Sequence, residues 1–154
     1  MKKFISLVIT CFIIFILTGF DKQQNLNIIS IKINVKENIL RYEVLLKTDD
    51  GSPIRSYFDY PGERIQGFEL AVLPNKPLAQ LMELDDKNSK FTKMRPQTIG
   101  TSSLSKNDGL LLFNEYIIKK GSDTNRVEKL ARDEATLFIF DGANKIIEQP
   151  ISRQ

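Results

Sequence analysis

The sequence predicts a mainly β chain: an antiparallel β-sandwich of about six to eight short strands, with one short helix near the C-terminus and an N-terminal hydrophobic signal helix in front. Three observations predict it. Apolar residues return at every second position in several stretches after residue 25, which is the period of a half-buried strand. Turn-forming clusters separate these stretches at Lys36-Glu37-Asn38, Asp49-Asp50-Gly51-Ser52-Pro53, Tyr60-Pro61-Gly62 and Asp141-Gly142-Ala143-Asn144. Only one segment, around Val127, Leu130 and Ala131, has clear helical spacing.

Residues 1–20 differ from the rest. Lys2 and Lys3 precede the uncharged run FISLVITCFIIFIL at residues 4–17, which ends at Thr18-Gly19-Phe20-Asp21. A positive start, an apolar stretch and a polar exit form a secretory signal, so the chain from Asp21 onward is expected outside the cytoplasmic membrane. Gly19 supplies a small residue for cleavage, but Leu17 is bulky, and the same segment at seventeen residues from Phe4 to Phe20 is at the short end of a spanning helix. The expected organisation is therefore a signal peptide or uncleaved anchor at 1–20 and a β-sandwich domain at 21–154. The product is secreted or tethered to the outer face of the membrane. Leu17-Thr18-Gly19-Phe20 resembles a bacterial lipobox with Phe where the lipidated Cys belongs, so no lipid is expected at Phe20.

In the body, Ile29, Ile31, Ile33 and Val35 alternate with Ser30, Lys32 and Asn34 and predict a first strand with these four on one face. After the turn at 36–38, Leu40, Tyr42, Val44 and Leu46 alternate with Arg41, Glu43 and Lys47, completing a hairpin. Residues 65–73 predict a third strand with Phe68, Leu70 and Val72 on one face, bounded by Pro74 and Pro77. Residues 78–84 fit either a strand or one to two helical turns, and 85–90 a surface connection. Residues 95–106, rich in Ser, Thr and Gly, read as loop. Residues 109–119 are apolar on both alternating faces, the pattern of a central strand. Ser122 or Asp123 caps the helix, in which Glu128 and Arg132 form an i,i+4 pair. Residues 135–140 and 145–151 form a closing hairpin.

Composition narrows the chemistry. The 154 residues are 42% hydrophobic and 27% charged, with no His and one Cys, which excludes Ser-His-Asp and Cys-His catalysis and a thiolate or imidazole zinc site. With Lys2 and Lys3 set aside, 20 of the 22 basic residues remain against 19 acidic ones, a net charge of +1 for residues 21–154. Nothing in that balance marks a nucleic-acid binder.

The body resembles the immunoglobulin-like sandwiches of small exported or lipoprotein-type proteins of Gram-positive bacteria. The likeness rests on Leu17-Thr18-Gly19, on the turn Thr48-Asp49-Asp50-Gly51-Ser52-Pro53-Ile54 after a strand, and on the last hairpin around Asp141-Gly142. It implies a binding or inhibitory scaffold and carries no functional residue over.

The expected function is accordingly that of an exported, non-catalytic interaction module whose partner is a protein or another cell-envelope macromolecule, with a protease-inhibitor-like role and a carboxylate-dependent hydrolase as alternatives. No cofactor and no metal are expected. Around the aromatic cluster Tyr57-Phe58-Asp59-Tyr60, strand alternation places Arg55, Tyr57 and Asp59 on one face, the candidate contact face, and Phe58 with Tyr60 on the core side. The long 95–108 segment supplies Arg95, Gln97 and Lys106 as further candidate contacts. A hydrolase would draw on Glu83, Asp85 and Asp86 or on Glu63 and Glu69. Asp49-Asp50-Gly51-Ser52 and Asp85-Asp86-Lys87-Asn88-Ser89 carry oxygen ligands suited to calcium but lack EF-hand spacing, and they read as turns.

Overall fold

The computed structural model describes residues 24–56, 67–85, 93–103 and 109–151. Among these, seven strands form two antiparallel sheets and two helices flank them. The strands are β1 (Leu26–Lys36), β2 (Ile39–Thr48), β3 (Phe68–Pro74), β4 (Pro96–Ser103), β5 (Leu110–Ile117), β6 (Ala135–Asp141) and β7 (Asn144–Ile151). The helices are α1 (Lys76–Ala79) and α2 (Thr124–Asp133). One sheet has the order β1-β2-β5-β4 and the other β3-β6-β7.

The first hairpin closes through Glu37 and Asn38, with Lys36 opposite Ile39 and Glu37 at φ 57°. Along β2 the alternation is strict: Leu40, Tyr42, Val44 and Leu46 are fully buried and the residues between them half-buried. β1 departs from the expected face. Ile28 pairs with Leu46 and Ser30 with Leu45, so Ile29 is the extra residue of a β-bulge and is 54% exposed. The bulge lets Leu26 and Ile28 pack against the same core as Ile31, Ile33 and Val35, which an unbroken period of two would forbid.

β5 is central as expected, with Leu112, Asn114 and Tyr116 buried toward the second sheet and Ile118 buried just beyond its end. That sheet contributes Phe68, Leu70, Val72, Leu137 and Ile139 to the same core. At its centre the Tyr42 and Tyr116 rings meet edge to face, with centroids 6.1 Å apart and planes at 75°. Burial pushes the Tyr42 phenol well above its ordinary range, with a smaller push from Tyr116, so it stays a neutral donor; its hydroxyl donates to the Ala131 carbonyl at 3.4 Å.

The helix near the C-terminus forms where its spacing placed it. Asp123 is the cap, its carboxylate accepting from the backbone N–H of Asn125 at 2.9 Å and of Arg126 at 3.3 Å. Val127 and Ala131 are fully buried, and Arg132 donates both to Glu128 at 2.7 Å and to the Ile33 carbonyl at 2.9 Å, tying the helix to β1. Replacing Asp123 by Ala leaves two first-turn amides without this acceptor. The expected loss is about 1 kcal/mol, read as a lower midpoint in urea unfolding with an unchanged slope.

One open reading is resolved and one expectation changes. The ambiguous 78–84 segment is the end of α1 followed by isolated bridges from Met82 to Ile118 and from Leu84 to Met94. Pro77 suits the first turn of so short a helix, where no amide partner is lost. Residues 95–106 are not mostly loop, because residues 96–103 form β4, paired with β5 along its length. Thr98, Ile99 and Thr101 are β-branched and suit a pleated surface, and the ladder offered by β5 outweighs the turn preference of Ser and Gly.

Candidate partner-binding edge

β4 is held to the sheet by an interlock on the outer face. Gly100 lies opposite Phe113, and the ring occupies the space that a Cβ at position 100 would need. The Arg41 guanidinium stacks over the same ring, 4.2 Å from its centroid, and donates to Glu43 and Glu115 at 2.8 Å each. Partial burial works to lower the Arg41 pKa, but the hydrogen bonds and charges of Glu115 and Glu43 together raise it. At its start β4 is anchored by backbone bonds from Arg95 N–H to the Glu83 carbonyl at 2.8 Å and from Ile117 N–H to the Arg95 carbonyl at 3.2 Å.

The other side of β4 carries no strand among the described residues. Four strands stand at sheet edges, and three of them bear the features that discourage further pairing. β1 has Lys32, Lys36 and the Ile29 bulge; β3 has Glu69 and Pro74; β7 has Lys145, Glu148 and Pro150. In β4 such features are confined to the start, where Pro96 precedes a bulge at Gln97. From Thr98 to Ser103 there is neither charge nor proline. Ile99 pairs with Asn114 and so belongs to the core side of the sheet, yet on this edge strand it is 54% exposed.

The predicted contact residues do not converge. Arg95 and Gln97 lie at the entry of β4, both exposed, with Arg95 Nη1 3.8 Å from Glu83. Arg55 is exposed beyond the end of β2, its N–H donating to Gln24 at 2.9 Å. Because Leu46 at the end of β2 faces Leu110 at the start of β5, Arg55 and Arg95 belong to opposite ends of the sheet. Tyr57, Asp59 and Lys106 lie outside the described residues, as do Phe58, Tyr60, Glu63 and Asp86. Ile99 and Gly100 escaped the sequence reading, although the β-branched Thr98, Ile99 and Thr101 were its available signal for a strand.

Of the acids a hydrolase would draw on, Glu69, Glu83 and Asp85 are among the described residues. Glu69 is exposed on β3, and Glu83 and Asp85 flank the Leu84–Met94 bridge. A shallow cleft of about 270 Å³ near Pro74, Asn75 and Pro150 instead contains Asp133 and Glu134, which sequence reasoning passed over; the Glu134 carboxylate accepts the Asn75 amide. Among the described residues no group of three His, Cys, Asp or Glu side chains is placed to hold a metal ion. In the 49–52 turn, Asp49 accepts from Asn27 and Asp50 from the Ser52 N–H at 2.9 Å.

Ser52 holds the Asp50 carboxyl below its ordinary value. A lowered folded pKa makes the charged form part of the folded turn. Its contribution is complete above the unfolded value of about 3.9 and is lost as pH falls through the folded value. Asp50→Asn is therefore expected to shrink the stability difference between pH 5 and pH 3, measured by urea unfolding.

Comparison with protein-family models, curated proteins and solved structures finds no match to this chain.

Proposed function

We propose that this chain is an exported, non-catalytic interaction module of the bacterial cell envelope, built as an immunoglobulin-like sandwich and working through strand addition at β4. The observation that carries this reading is an edge strand with six consecutive residues, Thr98–Ser103, free of charge and proline beside an exposed isoleucine. An added strand gains affinity from main-chain hydrogen bonds and specificity from alternate side chains, and Ile99 offers it an apolar contact on the core side. The N-terminal pattern of Lys2, Lys3 and the uncharged run at 4–17 supports export.

The inhibitor-like alternative needs an extended segment presented to a protease cleft. Residues 98–103 are instead engaged with β5 through an unbroken register, which favours strand addition. Arg95 and Gln97, at the entry of β4, flank the same edge and are its polar contacts in this reading.

The test is site-directed photocrosslinking in a Gram-positive host, with the reactive group at position 99 or, for comparison, at position 29 on the guarded edge. Adducts from 99 in the envelope or medium, and none from 29, are expected. A cytoplasmic location, or equal adducts from both positions, overturns the reading.

A further inference from the structure

We infer that the strand accepted by β4 is the β4 of a second copy of this chain. The inference rests on the strand-addition reading above and names its partner. An antiparallel pair related by a two-fold axis sets a strand beside its own reverse, so a charged edge meets its own charges. β1 would bring its Lys32 and Lys36 against those of the other copy, and it contains no acidic residue to offset them. β4 carries no charge from Pro96 to Ser103, and residues 21–154 as a whole have a net charge of only +1, so neither the strand nor the body repels its copy.

Ile99 supplies the apolar contact. It is next to Gly100, near the middle of the strand, and on the core side of the sheet. Around a two-fold near Gly100, the two isoleucines stand as diagonal neighbours on one face, each covering apolar surface of the other that is exposed in the single chain. The outcome is a continuous eight-stranded sheet in the order β1-β2-β5-β4 followed by its reverse. An edge pairing of this length is a small interface, suited to a micromolar dimer.

Sedimentation velocity over a concentration series of the chain purified from its expression host tests this. A monomer–dimer equilibrium in the micromolar range is expected, weakened about tenfold or more by Ile99→Lys and unaffected by Ile29→Lys. Both substitutions fall at exposed positions, and far-UV circular dichroism and thermal unfolding check that each variant is folded. A wild-type chain that stays monomeric at millimolar concentration overturns the inference, as does a dimer indifferent to Ile99→Lys or equally sensitive to Ile29→Lys. A monomer whose position 99 crosslinks to a foreign protein overturns the second-copy assignment alone. A monomer with no adduct from position 99 removes the strand-addition reading as well.

Discussion

Replacing Tyr116 by Ala is expected to destabilise the fold by about 3–5 kcal/mol, a large part of the 5–15 kcal/mol available to a domain of this size. Tyr116 is 1% exposed on the central strand β5, with its ring against Tyr42 and its hydroxyl accepting from the Asn114 amide at 3.0 Å. Its cross-strand neighbours are Leu40 on one side and Pro96 on the other. The Ala variant opens a cavity where the two sheets meet, and rigid β-sheet backbones on both sides limit its collapse. Tyr116→Phe keeps the ring, loses the hydroxyl and with it the acceptor of the Asn114 amide, and should cost about 1 kcal/mol. Urea unfolding followed by circular dichroism separates the two; equal losses for Phe and Ala would show that the hydroxyl, not the ring, holds the centre.

Asn114→Ala is the second large effect, expected at about 2–4 kcal/mol. Asn114 is 3% exposed on β5, and its amide donates across the gap between sheets to the Leu70 carbonyl of β3 as well as to Tyr116. The side chain thereby fixes one sheet over the other by a directional bond in an otherwise apolar layer. Its removal leaves the Leu70 carbonyl without this donor and opens a small cavity. The amide oxygen itself has no hydrogen-bond partner among the described residues, so that part of the polar burial goes uncompensated there. Asn114→Leu restores volume and removes that oxygen, and it should recover part of the loss while leaving the Leu70 carbonyl without its amide donor. Full recovery by Leu would show that the inter-sheet bond contributes little.

These two residues show how far local pattern reaches. Alternation put Tyr116 on one face of a central strand correctly, but Asn114 shares that face and reads locally as a solvent-side polar residue. Its place became evident only when Leu70, 44 residues earlier, was brought opposite. The same limit applies to the candidate site. Arg95 and Gln97 were singled out as loop residues and stand instead at the entry of an edge strand, while Arg55 is at the other end of the sheet.

Local pattern was enough for the mainly β class, the first and last hairpins, the central position of β5 and the capped helix α2. Each of these rests on short-range physics: a period of two, a turn of small or polar residues, a carboxylate four residues before an apolar helical face. The bulge that turns Ile29 outward, the strand made from residues 96–103, and the place of β4 at a sheet edge among the described residues come instead from long-range pairing. A bulge is a compromise between two registers, and an edge strand of Ser, Thr and Gly takes its hydrogen bonds from a neighbour distant in sequence. Burial of Asn114 and exposure of Ile99, paired across β5 and β4 on the same side of the sheet, follow from where each stands: Asn114 on a central strand, Ile99 on an edge strand.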